Sequence, residues 1–285
     1  MSGAVQVSGT PARGSLAAKR QAAERRHKIV VFGSQIGLGI FLLLLWEYAA
    51  GPREDPAAWI DEFYISRPTL IADALKRWVD QDILWLSIFV TLQNTVLGFL
   101  IGTGLGLITG FVLGANRTLA EIMAPYITAL YSIPRLALVP LFMLWFGIGI
   151  GMKLALIASV VFFLVFYATF AGVRDVDQVM LDKLRLMRAS WWGVTTKVTI
   201  PSATTFIISG LRISLPYALV VEVTAEMLSS NSGMGFLLIR SSSQFYTPGV
   251  FAAIVVMMLM GIILMGGIRV VEARLLSWKP KTSRE

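Results

Sequence analysis

Residues 83–116 read ILWLSIFVTLQNTVLGFLIGTGLGLITGFVLGAN, thirty-four positions without an Asp, Glu, Lys or Arg. A helix crosses the hydrocarbon core of a bilayer with about 20 apolar residues. This run is longer than one crossing needs, so it begins outside the core or tilts within it. Its glycines, Gly98, Gly102, Gly106, Gly110 and Gly114, recur every four residues and share one helical face. Between helices in lipid, small residues let two backbones approach closely. The stripe reads as a helix-packing face, with pore lining as the alternative.

Working outward, five more stretches behave the same way. Residues 29–46, 154–173 and 241–268 carry no charge, 122–152 carries only Arg135, and 198–228 carries Arg212, Glu222 and Glu226. The fold class is therefore an all-α membrane protein with six spans, predicted at 29–50, 88–114, 122–146, 153–173, 203–228 and 249–269. The first apolar core is longer than that of a secretory signal and no small-residue cleavage site follows it, so it reads as an uncleaved span.

Composition agrees. Of 285 residues, 56% are hydrophobic and 15% charged, with a mean hydropathy of +0.71. A soluble domain carries about 25% charged residues; this chain cannot clothe a water-facing surface of ordinary size. There is no cysteine, and the one histidine, His27, sits in a basic polar stretch. No metal site, disulfide or catalytic group is expected. A net charge of +8 would suggest nucleic acid in a soluble protein, but here its placement points to the membrane.

Lys and Arg mark the cytoplasmic side. With the N-terminus inside, segments 1–28, 115–121, 174–197 and 269–285 hold 17 of them, and the outer segments 51–87, 147–153 and 229–248 hold 6. Arg135 and Arg212 lie within spans. The expected organisation is a basic cytoplasmic tail at 1–28, running into a short surface helix, then a six-span domain at 29–273 and a cytoplasmic tail at 274–285. In the largest outer segment, Leu70, Ile71, Ala74, Leu75, Trp78 and Val79 share a helical face opposite Asp73, Lys76, Arg77 and Asp80, with Pro68 in the first turn. That helix either lies on the outer membrane surface or docks an external partner.

Charges inside spans are costly and turn toward the bundle or a cavity. Span three places Arg135 beside Ser132, Pro134 and Pro140, where proline breaks the helix and frees carbonyls that lipid cannot satisfy. Arg135 reads either as part of a translocation path or as a structural pairing. Span five holds Arg212, Pro216, Glu222 and Glu226, the glutamates four apart on one face. Pairing of the glutamates with Arg135 or Arg212 and direct contact with solute or ion both fit.

The loop at 174–201 contains DVDQVMLDKLRLMRASWWGVTTKVTIP. Acidic residues come early (Asp175, Asp177, Asp182) and basic ones late (Lys183, Arg185, Arg188), which complements a helix dipole. Val179, Leu184, Met187 and Trp191 fall on one side. A loop helix of this kind lies on lipid or docks a partner.

Asp182 to Ser190, followed by Ile200-Pro201 and Gly210-Leu211-Arg212, resembles the EAA loop of binding-protein-dependent ABC importer permeases, approximately E-A-A-x-x-x-G-A-S, then L-P, then G-L-R. Asp182 stands for the acidic residue, Ala189 and Ser190 keep the A-S, and Pro201 keeps the proline. Lys183 and Leu184 replace the alanines and Arg188 replaces the glycine. Ser132-Ile133-Pro134, Val139-Pro140-Leu141, 144–149 (LWFGIG), 225–228 (AEML) and Ser232-Gly233-Met234-Gly235 are similar to the nitrate/taurine/sulfonate-type branch. The resemblance covers about residues 65–275.

It implies the type I ABC importer permease fold, with a cytoplasmic coupling helix between spans four and five. It implies an ATPase contact through Asp182, Lys183, Leu184, Arg185, Met187, Arg188, Ala189, Ser190 and Pro201, and a path near Ser132, Pro134, Arg135, Arg212, Glu222 and Glu226. The partners it implies are cytoplasmic ATP-binding subunits, which carry ATP and Mg, a second permease copy or relative, and a periplasmic or lipid-anchored solute-binding protein. The location is a bacterial cytoplasmic membrane. The solutes are small anions such as sulfonates, nitrate or carboxylates, and in some members neutral or cationic vitamin precursors. The chain itself has no phosphate-binding G-x-x-x-x-G-K-[ST] loop and binds no cofactor in this reading. Arg188→Gly is expected to leave transport intact. An ion-gradient transporter using Glu222 and Glu226 is the alternative, disfavoured by the lack of an inverted repeat; an intramembrane enzyme using Ser209 or Ser214 lacks a base or metal.

Overall fold

The computed structural model describes residues 13–51, 59–176, 179, 183, 186, 187, 189–229 and 231–275. The chain divides into two compact units, 1–70 and 71–285.

The first unit is built on α1 (Arg13–Ala49). The expectation for 1–28 is a tail running into a short surface helix; the helix there, from Arg13, is continuous with the apolar stretch through to Ala49. The apolar residues from Ile29 to Leu45 are exposed, as suits a helix whose neighbour is lipid. At its end Ala50–Gly51 pairs in parallel with Ile60–Asp61. Glu47 then accepts from the Thr69 backbone N–H at 3.0 Å and the Thr69 hydroxyl at 2.8 Å. Those bonds cap the start of α2 (Pro68–Asp80), whose first turn has orphan N–H groups to satisfy.

In the second unit, α2 continues with Ile71, Ala74 and Trp78 buried, the apolar face read from sequence. Then follow α3 (Ile83–Ala115), α4 (Arg117–Ser132), a 3₁₀ turn (Arg135–Leu138), α5 (Val139–Phe146) and α6 (Ile150–Arg174). A helical turn at Trp191–Val194 runs through a π-type stretch, Thr195–Thr199, into α7 (Ile200–Ser229). The unit ends with α8 (Met234–Ser243) and α9 (Thr247–Leu275). Among the described residues, five helices are long and apolar enough to cross a bilayer. A sixth crossing is formed if α4 and the segment Arg135–Phe146 count as one span, bent by 83°.

The bend follows from Pro134. Proline cannot continue the α4 hydrogen-bond ladder, and Ile133 and Pro134 are extended. A single kinked span at 122–146 is thus two helices at nearly a right angle.

The glycine stripe explains the tightest packing. A Cβ added at Gly98, Gly102, Gly106, Gly110 or Gly114 would come within 2.7–2.8 Å of Ile157, Ala158, Phe162, Phe166 or Val173 respectively, all on α6. For Gly102, Gly106 and Gly110 the obstacle is a backbone carbonyl, which cannot step aside. The stripe therefore faces a helix, not a pore. Gly172 and Gly210 do the same between α6 and α7. The resulting core gathers Phe99 from α3, Val139 from α5, Leu156, Val161 and Val165 from α6, and Leu215 and Ala218 from α7.

Candidate functional site

The outward-assigned ends of α3, α6 and α7 meet the start of α8 in a buried polar cluster. Thr91 and Asn94 lie one helical turn apart on α3. Lys153 is in the first turn of α6. Glu222 and Glu226 share a face near the end of α7. Glu222 and Glu226 are 0% exposed and Lys153 only 4%. Lys153 Nζ stands 3.6 Å from Glu222 Oε1 and 3.9 Å from Glu226 Oε1. Asn94 Nδ2 donates to Glu222 Oε1 at 2.8 Å. The Thr91 hydroxyl lies 2.9 Å from both Glu226 oxygens and accepts from the Met234 backbone N–H at 2.9 Å. Glu226 Oε2 accepts from the Gly235 backbone N–H at 2.8 Å.

Two things follow. A carboxylate and a hydroxyl cap the N-terminus of α8, which carries orphan donors and the positive end of the helix dipole. The sequence 232–235 (SGMG) is shaped for that cap. Gly233 has φ +103, and a Cβ there would run into the Glu226 carboxylate; one at Gly235 would strike Val223 O and Glu226. The AEML and SGMG motifs, far apart in chain terms, are thus two sides of one contact.

Each charge inside the spans has its own partner. The cation facing the glutamates is Lys153, not Arg135 or Arg212. Arg135 donates to Leu130 O at 2.6 Å, Ile133 O at 3.0 Å and Tyr131 O at 3.1 Å, and its guanidinium lies 4.3 Å from the Phe163 ring centre. It closes the α4 terminus that Pro134 leaves open. Ser132 bonds back to Thr128 O at 2.8 Å in the same turn. Arg212 pairs with Glu272 on α9. The suggested path residues therefore fall in three separate settings: the break, the α7–α9 contact and the buried cluster.

In the coupling loop, Asp182, Leu184, Arg185 and Arg188 lie outside the described residues. Lys183 is helical, Met187 sits in a turn, and the Ser190 hydroxyl accepts from the Gly193 N–H at 3.2 Å. Val179, Leu186, Met187 and Trp192 are exposed. Pro201 follows directly on the π-type stretch Thr195–Thr199, within helix that runs on from Trp191 into α7, so its missing N–H falls where the hydrogen-bond ladder changes from π to α spacing.

Sequence reading missed Lys153, Thr91 and Asn94. Lys153 was counted both in the outer segment 147–153 and as the first residue of the span predicted at 153–173, with no partner assigned to it. The available signal was the polar set Thr91, Asn94 and Thr95, spaced to extend the glycine stripe by two further turns.

The described residues form a multi-span helical bundle with a tightly packed α3–α6 pair and one broken span, the build of a multi-pass membrane protein. The chain belongs to the family described as binding-protein-dependent transport system inner membrane component, matched over residues 102–277. It is 30% identical over 84% of its length, and 84% of the relative's, to SsuC of Bacillus subtilis (strain 168), named as an aliphatic sulfonates transport permease. It is 32% identical over 68% of its length to the taurine transport system permease protein TauC of Escherichia coli (strain K12), covering 71% of that protein. Its fold matches a chain of the MetNI methionine ABC transporter in an inward-facing form, with a TM-score of 0.59 at 16% identity, over 68% of this chain and 98% of that one. The chain is an ABC importer permease subunit with the type I importer fold, a transport component and not an enzyme. That sets aside the intramembrane enzyme.

Proposed function

We propose that the chain forms one half of a permease pair in a bacterial cytoplasmic membrane and passes a small organic anion, a sulfonate first among candidates, inward at the expense of ATP hydrolysed by a partner. Both termini and the 174–201 loop face the cytoplasm, and the loop docks the ATPase. A solute-binding protein delivers solute to the opposite side. The reading of substrate rests on one observation above the others: two relatives at 30% and 32% identity are named for sulfonate and taurine transport. The 17-to-6 bias of Lys and Arg supports the orientation. The resemblance of residues 182–201 to the EAA loop supports the docking role.

The test is uptake into proteoliposomes carrying the permease, its ATPase and its binding protein, with radiolabelled taurine and ethanesulfonate. Accumulation that requires ATP and survives an ionophore is expected. Uptake that persists without ATP but stops with an ionophore contradicts the reading.

A further inference from the structure

A half-open pocket of about 290 Å³ lies between the end of α2 and the end of α8. Both elements belong to the outward-assigned segments, 51–87 and 229–248. Arg77, Trp78 and Gln81 supply one wall, and Arg240, Gln244 and Tyr246 the other. Two guanidinium groups far apart in sequence thus reach one space, and among the described residues no carboxylate lines it. Asp73 and Asp80 are exposed on α2 and stand outside the wall.

Arg77 is held in place. Its Nε donates to Asp73 O at 3.3 Å, its Nη2 donates to the Tyr246 hydroxyl, and the guanidinium lies 5.3 Å from the Tyr246 ring centre. Those two bonds take two of its five N–H donors. Among the described residues, the Arg240 guanidinium and the side-chain amides of Gln81 and Gln244 make no hydrogen bond or ion pair. Both helices are anchored. Ile71, Ala74 and Trp78 of α2 are buried, and the start of α8 is fixed by Glu226 and Thr91. At the end of α8 the Tyr246 N–H donates to Ser241 O at 2.9 Å, and Phe245 closes that turn with a left-handed φ of +53. A bulky residue keeps such a backbone only where its surroundings fix it. The turn is what brings Tyr246 beside Arg77.

Two guanidinium groups with donors to spare, uncompensated inside the pocket and flanked by amides, suit a carboxylate. The volume suits one side chain. The exposed rim on α2 carries both signs, Asp73 and Asp80 beside Lys76 and Arg77, which complements the mixed charges of a protein surface better than a uniformly anionic lipid layer. We infer that this pocket receives an Asp or Glu side chain of the solute-binding protein, with Arg77 and Arg240 gripping the carboxylate and Gln81 and Gln244 adding hydrogen bonds.

This inference rests on the importer reading, which includes an external binding protein, and one experiment separates the two. The probe is the solute-binding protein that supports ATP-dependent uptake in the proteoliposome test. Its affinity for the permease–ATPase complex in nanodiscs is measured by fluorescence anisotropy. Arg240→Gln weakens it about tenfold, the loss of one charge-assisted hydrogen bond, and Arg240→Glu weakens it further. Lys76→Gln, at an exposed cation of α2 outside the pocket, changes it less than about two-fold. Thermal unfolding verifies that the variants are folded. Replacing one carboxylate of the binding protein by arginine restores affinity for Arg240→Glu and lowers it for the wild type. Unchanged affinity in both Arg240 variants, an equal loss in Lys76→Gln, or no charge reversal that restores binding overturns the site. So does a lipid outcome, in which Arg240→Gln strips phosphatidylglycerol from the complex in native mass spectrometry and leaves the protein affinity unchanged. ATP-dependent uptake with an affinity indifferent to Arg240 keeps the importer reading and loses this one; uptake that no binding protein supports loses both.

Discussion

Arg135 and Lys153 are both cations set in apolar sequence, yet they solve different problems. Arg135 sits at the α4–α5 break and spends its donors on three backbone carbonyls of its own helix end. Its chemistry is local: a proline opened the ladder and an arginine five residues beyond Leu130 closes it. Lys153 faces two carboxylates brought by another helix, within a cluster that joins four elements. The first charge is explained by the chain around it. The second is explained only by the assembled bundle. A charge within a span is thus a pointer to the packing of the bundle when its partners are distant in sequence, and a pointer to a broken helix when they are its neighbours.

The comparison predicts unequal costs. Lys153→Met leaves two fully buried carboxylates without their cation and should destabilise the fold by about 3–5 kcal/mol, read as a large drop in the thermal unfolding midpoint in detergent. A variant with an unchanged midpoint would show that the cluster contributes nothing to the stability of the bundle. Gly102→Val should come next. It forces side-chain atoms against Ala158 O and Val161, an overpacking worth about 1–3 kcal/mol, and circular dichroism on heating would register it; the same change at Gly104, where nothing lies within 4 Å, should be near neutral.

Much of this was legible beforehand because its physics is local in sequence. The length of the apolar runs fixed the crossings, four-residue spacing placed the glycines on one face, and Pro134 marked the break. Lys153 was not legible. Its position at the edge of an apolar run is equally that of a solvated loop, and only the packing of α3 on α6 turns it inward. Thr91 and Asn94 were hidden for the same reason, since two polar residues in an apolar run draw no attention until a carboxylate faces them. The right-angle bend was also underread: proline predicts a break, but the angle depends on what α5 packs against.

Smaller effects sharpen the contrast. Arg135→Met should cost about 1–3 kcal/mol, since it strands carbonyls that lipid cannot satisfy, and hydrogen exchange should rise selectively at the end of α4. Exchange spread evenly over all helices would show that Arg135 supports the whole bundle. Arg212→Gln should cost less than about 1 kcal/mol, because its pair with Glu272 is half exposed, and a larger loss of stability would give that pair a weight that its exposure does not suggest.

The most direct test is a double-mutant cycle on Lys153 and Glu222, with unfolding free energies measured for the wild type, Lys153→Met, Glu222→Gln and the double variant. If the cluster is a coupled buried ion pair, the double variant is more stable than Lys153→Met alone, because removing one carboxylate relieves the charge stranded by the first change. Strict additivity of the two losses would contradict the account.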